Sequence, residues 1–403
     1  MKKLEIGIEV APEHAFGRAF VEGVSAYAAN HRNWKLKAIR QEDLNAALFR
    51  SCDGIIARLF GDRAERLALN NRTPFVDIGY ERPRTGIAQV SSDEAAAGRL
   101  AAELAISRTY RNLGYCGVNA ISYSDRCYTG YAERISEAGF SVLNYTCPSK
   151  LAGQKVFDSG SPYKTPDAAM LKRWLKSLPK PIAVFCCNDH RAYQVMATAL
   201  KAGFRVPEEI GILGCDNDTM LCSFSQVPIS SIDPDATKVG YTAARVLDAL
   251  MQRLPEHKSH PPILIPPKGI VERDSTQFVP IEPKWLSDAI LLVERELSAG
   301  VSAEDVFRIS GHSPPHVEKV FKAKLGCSVQ TYITRARMKK AVALLRTGDL
   351  STKEIAAACG YASAPYFCRV FKSEFGTSPQ DFAQASIQSP HGRTFAVSGD
   401  DLL

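Results

Sequence analysis

Val320-Phe-Lys-Ala-Lys-Leu-Gly-Cys-Ser-Val-Gln-Thr-Tyr332 and Val370-Phe-Lys-Ser-Glu-Phe-Gly-Thr-Ser-Pro-Gln-Asp-Phe382 lie fifty residues apart and follow one pattern. Upstream, Ser313-Pro-Pro-His-Val-Glu-Lys319 aligns in the same phase with Ser363-Ala-Pro-Tyr-Phe-Cys-Arg369. In-phase matching over about twenty residues marks an internal repeat, and therefore a duplicated structural unit. Each copy reads as helix, turn, helix. In the second, Ser351-Thr-Lys-Glu354 is a capping box, whose Ser and Glu side chains satisfy exposed N–H groups of the first turn. Gly360 supplies the positive φ that stops this helix. Ser363 caps the next, with Pro365 tolerated in the first turn because an N–H there has no intrahelical partner. In the first copy Ser302 and Ser313 open the corresponding helices, and Val317, Val320, Phe321 and Leu325 form an apolar stripe. Between the copies, Val329–Arg346 reads as a long amphipathic helix with Tyr332, Ile333, Ala336, Leu344 and Leu345 inward. Such a connector holds the two second helices at a fixed separation.

Charge gathers on this repeat. The 403-residue chain carries a net +7, yet twelve basic and four acidic residues fall between Val306 and Gln380. That stretch alone holds +8, leaving the remainder near neutral, a distribution that suits contact with a polyanion. In helix-turn-helix units the second helix enters the major groove, its N-terminal residues toward the base edges. The base-reading candidates are therefore Pro315, His316 and Lys319 in one copy, and Pro365, Tyr366 and Arg369 in the other. Arg369 has the fork geometry for a guanine edge, whereas the flexible Lys319 ammonium fits a base or a phosphate equally well. Ser313 and Ser363 stand at helix N-termini, where phosphate is favoured, and Lys322 and Lys372 suit the DNA backbone.

Up to about residue 275 the pattern changes. Short apolar runs (Leu4–Val10, Leu36–Ile39, Gly54–Ala57, Phe75–Ile78, Leu113–Val118, Ile182–Cys187 and Ile210–Cys215) read as buried strands. Amphipathic stretches such as Phe16–Asn30, Asp93–Ser107, Asp125–Ala138, Pro166–Leu178 and Arg191–Ala202 alternate with them. This alternation predicts parallel sheets covered by helices, and its length predicts two lobes rather than one sheet. The fold class expected for the whole chain is thus a two-lobed α/β sensor followed by an all-α double helix-turn-helix domain. The boundaries read 1–275 for the two-lobed part, 276–284 for a polar connector, 285–385 for the helical domain, and 386–403 for a disordered tail.

The helical repeat resembles the AraC-type DNA-binding domain, through Glu354-Ile-Ala-Ala-Ala-Cys-Gly-Tyr361, Tyr366-Phe-Cys-Arg-Val-Phe-Lys372 and Phe375-Gly-Thr-Ser-Pro379. The resemblance implies that both units bind double-stranded DNA. The sequence departs from that family's pattern at Pro314-Pro315 and at Phe382-Ala383, where an aromatic-Arg pair is common. The earlier region resembles the effector-binding domain of LacI/GalR regulators, a relative of periplasmic sugar-binding proteins. The matching stretches include Val90-Ser-Ser-Asp-Glu-Ala-Ala-Ala-Gly98, Val184-Phe-Cys-Cys-Asn-Asp-His-Arg-Ala192, Val206-Pro-Glu-Glu-Ile-Gly-Ile-Leu-Gly-Cys-Asp-Asn217 and Ser230-Ser-Ile-Asp233. Together the two resemblances imply a ligand-responsive activator of sugar catabolic genes. The implied ligand is a xylose-like aldose or a sugar acid, and the implied assembly a homodimer, with RNA polymerase as a further partner.

In open α/β sheets ligands sit beyond the carboxyl ends of strands. Loops there supply Phe16 and Arg18; Arg58; Asp125 and Arg126; Asn188, Asp189 and Arg191; and Asp216. A polyol calls for planar hydrogen-bonding groups and an apolar wall. By resemblance Asp189 and Asp216 are the hydroxyl-binding candidates and Phe16 the wall, although Asp189 can equally cap a helix and Asp216 close a turn. Arg58, with Arg18 and Arg191, points to an acidic ligand.

Other classes find less support. Phosphate-loop, zinc-protease and nucleophile-elbow motifs are missing from the sequence, so no catalytic residue, metal or cofactor is expected. His312 and His316 are four apart, but His312 precedes the cap Ser313. Eleven cysteines with no C-x-x-C pair read as free thiols in a reducing compartment. The N-terminus shows no export signal and no run is long enough to span a membrane, which together predict a cytoplasmic protein. The alternatives are a constitutive repressor with an insensitive sensor and, less favoured, a carbohydrate-binding or transport protein.

Overall fold

The computed structural model describes residues 3–30, 33–119, 121–147, 167–252, 261–347 and 350–388. The chain divides into two compact units, one ending at Gln277 and the next beginning at Phe278.

The first unit contains two six-stranded sheets, one per lobe. The first sheet takes β1 (Leu4–Glu9), β2 (Trp34–Ile39), β3 (Gly54–Ala57), β4 (Phe75–Asp77), β5 (Ala88–Ser92) and β11 (Ile263–Ile265), in the order β11-β5-β4-β3-β1-β2. All its pairings are parallel, including β4 with β5, which are joined by a loop without a helix. The second takes β6 (Asn112–Val118), β7 (Val142–Cys147), β8 (Ile182–Cys186), β9 (Ile210–Cys215), β10 (Ser230–Asp233) and β12 (Gly269–Val271), in the order β12-β10-β9-β8-β6-β7. Here the sheet is mixed rather than purely parallel, because β12 runs antiparallel to β10.

The chain crosses between lobes three times, after β5, after β10 and after β11. The helix that follows β10, α9 (Ala236–Met251), packs on the first lobe. Its Val239, Ala243, Val246 and Leu247 join Ile6, Ile8, Phe20, Val24, Val76 and Val90 in one core. Contact with α1 (Ala15–Ala29) is backbone to backbone. A Cβ on Gly23 would stand 1.9 Å from the Thr237 carbonyl oxygen, and one on Gly240 would stand 2.0 Å from that of Phe20. The second lobe has its own core, formed by Leu171, Val184, Val195, Met196, Ile210 and Ile212 among others.

The second unit is helical: α10 (Lys284–Glu296), α11 (Ala303–Ser310), α12 (Pro314–Leu325), α13 (Val329–Thr347), α14 (Thr352–Ala358), α15 (Ala364–Phe375) and α16 (Pro379–Gln388). Two cores, one per repeat, sit at either end of α13. Val317, Phe321, Val329 and Ile333 belong to the first; Met338, Ala341, Leu345, Phe367 and Phe371 to the second. The polar stretch expected as a connector is packed rather than free. Val279 is buried in the first of these cores, and its N–H donates to Ser287 Oγ at 3.1 Å. Helix α16 runs through the expected start of the tail to Gln388; residues 389–403 lie outside the described residues.

The expected capping box of Ser351 with Glu354 forms, and Ser302 makes a second one with Asp305. Ser313 and Ser363 occupy N-cap positions without a side-chain cap bond, and the prolines that follow them fall at the first two helical positions. Pro314-Pro315 therefore leaves α12 intact: both rings sit where backbone N–H groups have no partner to lose. Gly360 takes φ +74°, and a Cβ there would lie 1.9 Å from the Leu297 carbonyl oxygen. The two repeats meet at that point. Ser298 Oγ donates to the Ala358 carbonyl oxygen at 2.9 Å and accepts from Lys340 Nζ at 2.7 Å. Arg337, on the connecting helix, donates to the Val301 carbonyl oxygen at 2.9 Å and lays its guanidinium over the Tyr361 ring.

Candidate functional site

A cavity of about 270 Å³ lies between the two lobes of the first unit, walled by residues at the carboxyl ends of the strands. Glu9 ends β1 and His14 follows it, Arg58 follows β3, and Ser91 to Glu94 close β5 and open α4 (Glu94–Ser107). Tyr123 comes from the second lobe on α5 (Ser122–Glu137), with Asn188 beyond β8 and Asp216 beyond β9. Phe16 and Phe20 on α1, together with Pro234 and Pro267, supply apolar wall. A polar perimeter with apolar faces is the lining that a compact, multiply hydroxylated ligand requires.

The polar groups are largely pre-oriented by one another. Glu9 accepts from Arg58 Nε at 3.0 Å, from its Nη2 at 2.7 Å and from its backbone N at 2.6 Å. Asn188 donates to the Tyr123 hydroxyl at 3.0 Å, while its Oδ1 accepts from the Arg191 N–H and so caps α7 (Asp189–Lys201). Asp216 is pushed well above the usual carboxylate range, first by burial, then by the charges of Asp189, Asp218 and Glu94.

Three contacts bridge the rim. Arg18 on α1 pairs with Asp218 beyond β9 at 3.1 Å. The rings of His14 and His190 meet edge to face at 5.3 Å, and burial lowers the pKa of both imidazoles. Arg126 donates to the Tyr80 carbonyl oxygen, stacks on that ring and reaches Glu94 at 3.1 Å.

Of the cleft residues expected from sequence, Phe16, Arg58, Asn188 and Asp216 line the cavity, and Arg18 and Arg126 stand at its rim. The others are elsewhere. Asp125 is exposed on the first turn of α5. Asp189 is fully buried beneath the cavity, accepting from Ser231 Oγ at 2.6 Å and from the Asp218 N–H at 2.7 Å. Burial is the main cause that pushes its carboxyl up to about 7. Arg191 is also fully buried, in a bidentate pair with Asp167 at 3.0 and 2.5 Å. Neither Asp189 nor Arg191 can touch a ligand in this arrangement. All three arginines that pointed to an acidic ligand meet a carboxylate of the chain itself: Arg18 meets Asp218, Arg58 meets Glu9 and Arg191 meets Asp167. That argument for a sugar acid falls away. Sequence reasoning missed Glu9, His14, Asp93, Glu94 and Tyr123; the acid directly ending the first strand was the available signal.

In the second unit all ten residues expected at the nucleic-acid face are exposed: Ser313, Pro315, His316, Lys319 and Lys322 on one copy, and Ser363, Pro365, Tyr366, Arg369 and Lys372 on the other. Their helices are anchored from behind by Val317 and Phe321, and by Phe367 and Phe371, all fully buried. The Arg369 guanidinium stacks on the Tyr366 ring, 5.1 Å from its centre. On the first copy His312 and His316 stand 4.9 Å apart beside Trp285. Among the described residues no group of three potential ligands could hold a metal ion, and no helix is long and apolar enough to cross a membrane.

Residues 102–276 match the periplasmic binding protein-like domain, and residues 307–385 match a helix-turn-helix domain. The chain joins a periplasmic-binding-protein-like domain to an AraC-type helix-turn-helix domain. It is a ligand-responsive, DNA-binding transcription regulator. Over 93% of its length it is 26% identical to the xylose operon regulatory protein of Escherichia coli K12, covering 95% of that protein. The corresponding protein of Haemophilus influenzae is 31% identical over 209 residues, 52% of this chain and 54% of that one. The solved structure of a xylose-binding transcription activator aligns with 96% of this AraC-type regulator and 99% of its own chain, at a TM-score of 0.59 and 22% identity, which shows a shared fold.

Proposed function

We propose that this regulator switches genes of sugar catabolism in response to a neutral, xylose-like aldose bound between its lobes. The observation that carries the reading is the pairing of charges in the cleft. Glu9 neutralises Arg58 and Glu94 neutralises Arg126, while Asp216 adds a further carboxyl to the wall. A carboxylate-bearing sugar would enter a site whose cations already have partners, at the full desolvation cost of its own charge. A neutral aldose meets donors and acceptors matched to adjacent hydroxyls.

Phe16, Arg58, Asn188 and Asp216 make the ligand contacts in this reading, with Glu9 and Tyr123 orienting two of them. Arg369 and Tyr366 read bases, Lys319 and His316 assist from the first copy, and Lys322, Lys372, Ser313 and Ser363 meet phosphates. Pro315 and Pro365 shape the helix starts at the groove. The protein works in the cytoplasm as a homodimer, activates transcription through RNA polymerase and catalyses no reaction.

Titration calorimetry of the full chain with D-xylose, L-arabinose, D-ribose, D-glucose and D-glucuronate tests the ligand class, alongside gel shifts on a duplex that the chain itself selects from random sequence. Heat with a neutral pentose and a sugar-dependent shift in DNA affinity support the reading. Preferential binding of glucuronate overturns its ligand class; DNA affinity indifferent to every sugar overturns the sensor.

A further inference from the structure

The cavity wall at Asp216 belongs to a tightly held turn. Asp216 and Asn217 are successive non-glycine residues with φ +110° and +48°. Such backbone is costly for residues with a Cβ and persists only where its surroundings over-determine it. The surroundings do so here. The Asp216 N–H donates to the Ile232 carbonyl oxygen at 3.0 Å, the Asn217 N–H to Ser231 Oγ at 3.0 Å, and the Asp218 N–H to Asp189 at 2.7 Å.

The two residues of the turn serve different neighbours. Asp216 lines the cavity. The Asn217 side-chain oxygen accepts from Arg273 Nη2 at 2.9 Å, and Arg273 also donates through Nη1 to the Ile229 carbonyl oxygen at 2.9 Å. Arg273 begins the last segment of the first unit, four residues before Gln277. That segment is held at Arg273, Ser275 and Thr276. The Arg273 N–H donates to Ser230 Oγ at 2.7 Å, Ser275 Oγ accepts from the Ser230 N–H at 2.8 Å and donates to the Ile212 carbonyl oxygen at 2.6 Å, and Thr276 Oγ1 shares a 2.6 Å bond with Ser230 Oγ. Ligand contact and chain exit are thus one hydrogen bond apart, through a strained turn that has little slack to absorb a displacement.

We propose that the Asn217–Arg273 hydrogen bond couples occupancy of the cavity to the segment that leads into the DNA-binding unit. It rests on the sugar-sensor reading above. A ligand that engages the Asp216 carboxyl turns the following peptide, which moves the Asn217 acceptor against a guanidinium fixed to Ile229. The bond is made in one state and broken in the other, and the segment from Arg273 to Gln277 follows. A two-state element biased from both ends is the physical requirement for coupling two sites.

The test is the ratio of DNA affinities with and without saturating D-xylose, measured on the full chain and a duplex selected by the wild-type protein. Wild type should show a ratio on the order of 5- to 150-fold, the usual range of allosteric coupling. Arg273→Gln should bring it within about twofold of one while D-xylose still binds by calorimetry, since neither residue lines the cavity. Asn217→Gly keeps the positive φ, loses only the acceptor and should give the same collapse, which covers failure of the arginine variant to fold. The double variant should change the ratio no more than either single one, because both remove the same bond. A wild-type ratio retained in both single variants overturns the coupling inference alone. A wild-type ratio of one with every sugar overturns the sensor reading and this inference together.

Discussion

The two helix-turn-helix copies share a scaffold and differ at the edge they present. From Val317 to Lys324, and again from Phe367 to Glu374, buried and exposed positions follow one another in the same order. Phe321 and Phe371 occupy matching core positions, both fully buried. At the reading edge the copies part. The second offers a guanidinium stacked on Tyr366, while the first offers the Lys319 ammonium and a cluster of Trp285, His312 and His316. A planar cation held over a ring has lost part of its freedom before DNA arrives. A lysine on four methylenes has not. Duplication thus conserved the way a helix is presented and left the chemistry of presentation free to diverge, so the second copy should carry more of the sequence discrimination and the first more of the general attraction to phosphate.

The largest effects test the shared scaffold. Phe321→Ala and Phe371→Ala each remove a fully buried ring and should cost about 3–5 kcal/mol, read by chemical denaturation of the full chain. Losses of similar size uphold equivalence; a loss near zero for one of them breaks it. Next comes the seam between copies. Gly311 and Gly360 both end first helices at positive φ, yet a Cβ on Gly311 meets open space and one on Gly360 meets the Leu297 carbonyl. Strain alone predicts about 1–3 kcal/mol for Gly311→Ala, with Gly360→Ala costing more because the backbone must also move. Equal melting temperatures for the two variants would show that the seam yields freely.

The reading edge is tested by smaller changes. Arg369→Ala should lower affinity for a selected duplex by about 1–3 kcal/mol relative to random DNA. Lys322→Ala, on the exposed side of the first copy, should weaken both duplexes alike and reduce the salt slope by about one unit. Equal losses on both duplexes for Arg369→Ala would move that residue to the phosphate class. Smallest of all, Tyr366→Ala should cost about 0.5–1 kcal/mol of specific affinity through loss of the stacked arginine, and Tyr366→Phe should restore most of it. An unchanged affinity for Tyr366→Ala would remove pre-orientation from the comparison.

Local signals make the helical unit legible in the sequence itself. Capping residues, a stopping glycine and an apolar stripe act within a turn or two, so Ser302, Ser351 and Phe371 declare their roles in sequence. The cleft was only half legible. Sequence can place Asn188, Asp189 and Arg191 at the end of a strand but cannot say which way each side chain turns. Asn188 faces the cavity, whereas Asp189 turns to Ser231 and Arg191 to Asp167, partners 42 and 24 residues away. Strand β5 escaped notice because Gln89, Ser91 and Ser92 are buried polar residues, which break the apolar run that marks a strand. Asp93 and Glu94 were lost with it as wall residues. The antiparallel β12 is three residues long and follows no alternation at all.

The exchange of helix α9 between lobes has a consequence at the ribosome. The first lobe's opening segment ends at Ser92, yet its core is completed by Val239, Ala243 and Leu247 and its sheet by Ile263–Ile265. About 170 residues must still be translated before that lobe can close. At elongation rates of about 5–20 residues per second this means roughly 8–35 s during which the nascent face bearing Ile6, Phe20 and Val90 is open to solvent. Helper proteins that shelter emerging chains should therefore engage this product early, and slowing synthesis after Ser92 should lower the yield of intact molecules more than slowing it beyond Ile265.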